Sequence, residues 1–544
     1  MSQIFSGQSG NSQPAMPQPD TTELPIERSR IGNGLANRPL FTQADWNFDL
    51  IKTTYDAIHE IGVGEMGLNI YPNQIEVITA EQMLDAYASI GMPNMYRHWS
   101  FGKHFAREES LYRKGARALA YELVINSDPC INYIMEENTM TMQTLVMAHA
   151  AMGHNHFFKN NYLFRQWTDA TSILDYLRFA KEYIVECEQK VGTEKVELVL
   201  DSAHALMNQG VSRNPMMRRS PAEMRERDVA RREYEEATYN ELWRTVPRSA
   251  LPKSAVDPES KDAQRESVIL GLPQENLLYF LEKHAPKLDD WQREILRIVR
   301  MLAQYFYPQR QTKVMNEGCA TWCHYEILNR MYDKGQITEG SMLEFMHSHS
   351  SVVFQPRFED KYFSGLNPYA LGFAMMRDIQ RMSNEPTDED RHWFPEFAGN
   401  GDALGNLKEA WANYRDDSFI LQYLSPKVIR DFRLFAIHDS SDSPFVEVKS
   451  IHDEAGYRRV RKGLASQYDA AARDPDIQVV SADLSGGRRL TLQHRVRNGI
   501  LLEKEQTDRT LQHVAHLWGY RVKMTEVDYD SGKTLKEHEA LPLP

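Results

Sequence analysis

Apolar residues recur at helical spacing through most of the first 430 positions. Trp46, Leu50, Tyr55, Ile58 and Ile61 fall near one face of a helix that Asp45 is placed to cap. NIYPNQIEVI holds a short β-prone run, after which Thr79 and Gln82 make a capping-box pair for the helix AEQMLDAYASIG, ended by Gly91 and Pro93. Ala116–Ile125 reads as a helix, stopped at Asp128 because Pro129 disfavours helical geometry before it. Glu122 falls inside that apolar helix, where a carboxylate requires a partner, a metal or a cationic group. From Asn138 to Phe164, Met140, Leu145, Val146, Met147, Met152, Phe157 and Phe158 cover most of a helix circumference, the pattern of a helix buried in a large core. Helical periodicity continues over 168–208, over two segments separated around Pro286, and over Gln311–Arg330.

The last hundred residues change period. Phe445–Ile451 alternates as a strand, Asp453–Ala472 is helical, and Ile477–Leu484 and Leu490–His494 are strands around a Ser-Gly-Gly turn, the second extended over Arg495–Leu502. A helix over Thr507–Trp518, closed by Gly519, and a strand over Arg521–Tyr529 complete the order β-α-β-β-α-β of a ferredoxin-like unit. The expected architecture is a mainly α body over 41–435 followed by a C-terminal α+β domain over 440–530. No internal repeat is visible.

Composition changes this picture at two places. Residues 1–40 are rich in Ser, Gln, Pro and Gly and read as a disordered tail, because they cannot repay the entropy of ordering. Near 213–272 the chain turns to Arg, Glu, Ser and Pro, which predicts an exposed helix and a flexible connection, with Met224–Trp243 suited to docking a protein partner. The net charge of -13 provides no cationic field for nucleic acid. Four cysteines in 544 residues make no disulfide framework and fit a reducing, cytoplasmic setting. No apolar window is long enough for an integral membrane segment, and GxGxxG, Walker A, GxSxG and kinase signatures are absent.

Candidate chemistry concentrates in the buried stretch, which carries His149, His154 and His156. His149 and His154 are five apart, about 140° on a regular helix, so sharing an ion requires a π-bulge or a break near Gly153. His149 and His156, seven apart, share a face without distortion, and spacing leaves both pairings open. In QTKVMNEGCATWCHYEILNR, Glu317 and His324 are also seven apart and converge on one face; SMLEFMHSHSSVVFQP adds His347 and His349 further on. Taken singly each histidine reads as a satisfied core residue. Together, His149, His154 and Glu317 are expected to hold a divalent metal, zinc foremost, with His324 a fourth ligand or a proton-transfer group. A shared ion requires Glu317 to lie within about 8 Å of both histidines.

Asn316-Glu317-Gly318-Cys319-Ala320 resembles the NEG-aromatic-A segment of gluzincin aminopeptidases, whose glutamate is the third zinc ligand, and HAAMGHNHFF is a looser relative of their HExxH helix. Ala150 stands where those enzymes carry the glutamate base, so Glu122 is the candidate base here. More widely, YRHWSFGKHF, AYELVINSDPCINYIMEENTMTMQTLVMAHAAMGH, FFKNNYLF and MNEGCATWCHYEI resemble the SpoVR family of stage V sporulation protein R-like proteins. That resemblance implies a link to spore cortex formation in sporulating bacteria or to stress adaptation, and in proteobacterial relatives an association with a PrkA-type serine protein kinase. Two functions follow: a metal-dependent hydrolase acting on a peptide or cell-wall-related substrate, or a non-catalytic partner or regulator in a PrkA-type kinase pathway.

Overall fold

The computed structural model describes residues 38–88, 92, 95–113, 121–213, 229–230, 267, 270–434, 437–438, 447–448, 453–484, 486–497 and 499–542. The expected tail over 1–40 and the charged connection near 213–272, docking segment included, fall almost wholly outside the described residues. Two compact units form, one from residues 1–182 with 308–468 and the other from 183–307 with 469–544.

The first unit is mainly helical and is built around the helix Lys313–Asp333, which buries Val314, Met315, Cys319, Trp322, Cys323, Ile327, Leu328 and Met331. Helix Pro368–Asn384 and the segment around His149 pack closest against it. They approach backbone to backbone because side chains are missing at the crossings. A Cβ on Gly153 would lie 2.4 Å from Ala320 Cα, and one on Gly372 would lie 2.2 Å from the Val314 carbonyl oxygen. Glycine is what permits this separation. The first-turn amides of Lys313–Asp333 are satisfied from a distance in sequence: Val314 N–H and Met315 N–H donate to the two oxygens of buried Asp416, each at 2.9 Å. Burial pushes the Asp416 carboxyl up to about 7, against the lowering influence of those amides.

Beside these helices lies a three-stranded sheet in the order Asn73–Ile78, Cys130–Met135, Glu122–Ile125, the first pair parallel and the second antiparallel. Glu122 therefore starts an edge strand rather than sitting inside a helix. A short apolar run has no periodicity to separate the two states, and the β-branched Val124 and Ile125 suit the pleated surface; Ala116–Ala120 lies outside the described residues. The Thr79–Gln82 capping box forms in both directions, at 2.9 and 3.2 Å. Helix Phe48–His59 is capped by Asn47 rather than Asp45, through Leu50 N–H at 2.9 Å.

The second unit holds the C-terminal α+β domain. Its sheet runs Ile477–Ala482, Leu490–Val496, Val522–Asp528, Thr534–Ala540, with the central pair parallel and joined by helix Lys504–Trp518, which Gly519 closes at φ 80°. Alternating burial along Leu490–Val496 shows one face on the core. The order within the sheet is ββαββ. The strand expected over Phe445–Ile451 is described only at Glu447–Val448, paired with Ile437–His438, and the expected first helix, Glu454–Tyr468, packs on Asp416–Tyr423 in the first unit. Thr534–Ala540 is an added edge strand whose mostly polar, exposed residues carry no strand pattern. All four cysteines are free and buried. Among the described residues, no helix is long and apolar enough to cross a membrane.

Candidate metal centre

Between the α-helical Met140–Met147 and Asn155–Asn160 the chain widens into a π-helix over Ala148–His154. Its i→i+5 bonding stacks residues five apart, so the His149 and His154 rings meet edge to face with centroids 4.6 Å apart. Carbonyls displaced by such a turn need donors, and Asn73 Nδ2 donates to Ala151 O at 3.0 Å. Asn155 fastens the same region to the sheet, donating to Tyr71 O and Asn73 Oδ1 and accepting from Tyr71 N–H. His156 turns elsewhere: its Nδ1 accepts from Asn69 N–H at 3.0 Å and its ring meets Trp411 edge-on. Of the two pairings that spacing allowed, His149 with His154 is the one the backbone makes.

The Gly153–Ala320 crossing brings Glu317 to this pair. Glu317 Oε2 lies 3.9 Å from His149 Nε2 and 3.6 Å from His154 Nε2, and one ligand atom from each of the three residues lies within 4.8 Å of the others. Glu122 reaches in from its strand, with Oε1 3.8 Å from His149 Nε2. Its side chain stays 19 % open, yet the protein packed around the carboxyl raises it to about 8 through burial, and the charge of Glu317 adds to the rise. A carboxyl tuned there is suited to exchanging protons near neutrality.

The outward nitrogens of both imidazoles are secured. His154 Nδ1 meets Asn316 Oδ1 at 2.9 Å, which fixes its proton on that side and leaves Nε2 as the lone-pair nitrogen. His149 Nδ1 lies 2.9 Å from His324 Nδ1, and His324 Nε2 lies 2.9 Å from His349 Nδ1. His324, expected as a fourth ligand or proton-transfer group, therefore stands behind His149 with both nitrogens engaged by other histidines, and it is not placed to join Glu317 around one ion. Burial, then the neighbouring His154 and His324, holds His149 well below the usual imidazole range; burial and His349 do the same to His324. Neutral imidazole is the form that ligates a metal.

Whether an ion fits can be judged from Glu317. Its Oε2 is buried and no hydrogen-bond donor reaches it, a costly state for a carboxylate oxygen. A tetrahedral ion with bonds of about 2.0–2.1 Å sets its ligand atoms about 3.4 Å apart, so small side-chain movements would close this cluster around one. His149, His154 and Glu317 are thus the residues that could hold a divalent metal.

His349 and Asp416 carried no signal in sequence spacing. The former lies 25 positions from its partner His324, the latter about 100 from the amides it holds.

The family described as "SpoVR like protein" matches residues 45–473, and the "SpoVR-like C-terminal domain" matches residues 475–529. A relative from Escherichia coli (strain K12), "Uncharacterized protein YcgB", is 52% identical over 494 residues, covering 91% of this chain and 95% of its own length. No solved structure matches the chain.

Proposed function

The chain belongs to the SpoVR family, and on that premise we propose that it is a divalent-metal protein in which His149, His154 and Glu317 hold the ion. Two imidazoles and one carboxylate suit zinc or another first-row divalent ion. The observation that carries this reading is the buried, donor-less Glu317 Oε2 set between two Nε2 atoms at 3.9 and 3.6 Å. The reaction class attached to it, from the resemblance to gluzincin aminopeptidases and to the SpoVR family, is hydrolysis of a peptide or cell-wall-related substrate. When bound, the ion supplies Lewis-acid polarisation of a carbonyl and makes a water more acidic. Glu122 is the general base of this reading, taking the proton of the attacking water and returning it to the leaving group, since its carboxyl faces His149 at 3.8 Å.

Elemental analysis of protein purified without chelator tests the metal. The expected result is about one equivalent of a first-row ion, lost in Glu317→Gln and in His154→Ala. Zinc at about 100 times its Kd should add about 2.7 kcal/mol of stability to the metal-free protein, read as a rise in melting midpoint that a chelator reverses. Wild-type protein that takes up no stoichiometric metal under loading would refute the proposal. The alternative, a non-catalytic partner or regulator in a PrkA-type serine kinase pathway, rests on family resemblance and requires no bound ion. Cytoplasmic location and a role in spore cortex formation or stress adaptation enter this reading on the same footing, from composition and resemblance.

A further inference from the structure

Behind the three proposed ligands runs a column of imidazoles. His149 Nδ1 meets His324 Nδ1 at 2.9 Å, and His324 Nε2 meets His349 Nδ1 at 2.9 Å. All three residues are buried, at 4 %, 1 % and 4 % exposure. A contact between two neutral imidazole nitrogens holds one proton, so each junction has a donor and an acceptor, and the choice at one junction dictates the next. With the proton on His149 Nδ1, His324 accepts at Nδ1 and donates from Nε2 to His349 Nδ1. With the column reversed, His149 carries its proton on Nε2, aimed at Glu122 and Glu317 from 3.8 and 3.9 Å, too far for a hydrogen bond and on the nitrogen that ligation requires bare.

The geometry favours the first polarity, because reversal leaves the His149 Nε2–H with neither neighbouring carboxylate within hydrogen-bond distance while the first satisfies a donor and an acceptor at both junctions. At the far end, His349 is boxed by the rings of Tyr325, Phe345 and Phe373, with centroids 5.0, 5.7 and 4.7 Å away, and the charge of Arg377 disfavours a second proton on it. Arg377 is itself held by Glu326 at 3.0 Å and lies over Tyr325. The column keeps its orientation without carrying charge.

We propose that His324 and His349 are positioning residues that set the tautomer of His149, fixing its proton on Nδ1 and presenting Nε2 as a lone pair to the Glu122 and Glu317 side. His349 acts two residues removed from the ion, as the terminal acceptor. This rests on the ligand assignment for its consequence, but the tautomer itself is a property of the metal-free protein.

The test therefore begins without metal. In full-length protein labelled with [15N]histidine, with His149 signals identified by their loss in His149→Ala, the nitrogen shifts of metal-free wild type should report an Nδ1–H tautomer. His349→Phe keeps a ring but removes the acceptor, and should move His149 toward the Nε2–H form. His349→Asn, whose Oδ1 takes the place of Nδ1, should restore the wild-type shifts. Zinc affinity should follow the same order, falling about 10- to 100-fold in His349→Phe and recovering in His349→Asn. If His349→Phe does not fold, His349→Leu and His324→Phe remove the same acceptors and take its place. Unchanged His149 shifts in every folded acceptor-less variant, or equal change in His349→Phe and His349→Asn, would overturn the proposal. Wild type that shows the Nδ1–H tautomer yet takes up no metal would sink the metal reading alone and leave the positioning role standing.

Discussion

Gly153→Ala is the most direct probe of how the site is assembled. The added Cβ would sit 2.4 Å from Ala320 Cα, 3.0 Å from Ala320 Cβ and 3.3 Å from its carbonyl carbon. Carbon atoms at rest lie about 3.5–4.0 Å apart, so the π-helix and the Lys313–Asp333 helix must separate by about 1 Å. Backbone atoms cannot step aside as a flexible side chain could, and overpacking of this kind costs about 1–3 kcal/mol. Without a clash the same substitution would stabilise a helix by about 0.8–1 kcal/mol, so the sign alone decides. Gly102, in helix Trp99–Arg113 with nothing within 4 Å of an added Cβ, provides the control. Urea unfolding followed by circular dichroism should show a lower midpoint with unchanged slope for Gly153→Ala, and an equal or higher midpoint for Gly102→Ala. Because His154 adjoins Gly153 and Glu317 lies one turn before Ala320, metal content should fall in the first variant and stay constant in the second. A Gly153→Ala protein as stable as wild type, with full metal content, would refute the claim that backbone contact holds the ligands together.

Asp416→Ala should lower stability by about 2–4 kcal/mol in urea unfolding, since it strands two buried amides. With its carboxyl raised from about 4 to about 7, the folded state binds the extra proton in that window; wild type should therefore lose stability relative to Asp416→Asn as pH rises from 4 to 7, by about 1.4 kcal/mol per pKa unit, and parallel curves would count against the assignment. In the C-terminal sheet, burial pushes Glu526 up, but Leu502 N–H, His538 and His494 together hold it below the usual glutamate range. Such a depressed carboxylate contributes stability that is present above its ordinary value of 4.5 and lost as pH falls through the folded one. Glu526→Gln should cost about 2–4 kcal/mol at pH 7 and flatten that acid limb, measured by thermal melting; an unchanged limb would point to other groups.

Much of this was legible because helical periodicity and spacing are local. The π-turn was foreseeable as a condition: two histidines five apart can share an ion only if the helix takes up a spare residue, and the structure takes one up at Ala148–His154. Glu317 and His324 are seven apart, but the two turns between them set one at His149 Nε2 and the other at His149 Nδ1, a distinction that a helical wheel cannot draw. Glu122 misled because ELVI has too few residues to reveal a period, and its strand exists only by pairing with Cys130–Met135. His349 and Asp416 depend on contacts between segments far apart in sequence, where spacing holds no information. At the C-terminus, strand, hairpin and helix were readable over 477–528, whereas the expected first strand pairs with Ile437–His438 and the expected first helix packs on Asp416–Tyr423, partners that local pattern does not name.

The π-helix also separates two phases of one continuous rod. Met140–Met147 is set in rotation by the core around Ile58 and Met331, while Phe157 and Phe158 are set by Phe164. A single extra residue lies between them, its displaced carbonyl taken up by Asn73. Removing one alanine from the Ala150–Ala151 pair would take out that spare residue, leave the two histidines four apart and about 40° from each other on a regular helix, and keep both halves in phase without the wide turn. The ligand pair is thus encoded in the length of the chain as much as in its letters, and one further residue inserted between the histidines would undo it while leaving every histidine and carboxylate in place.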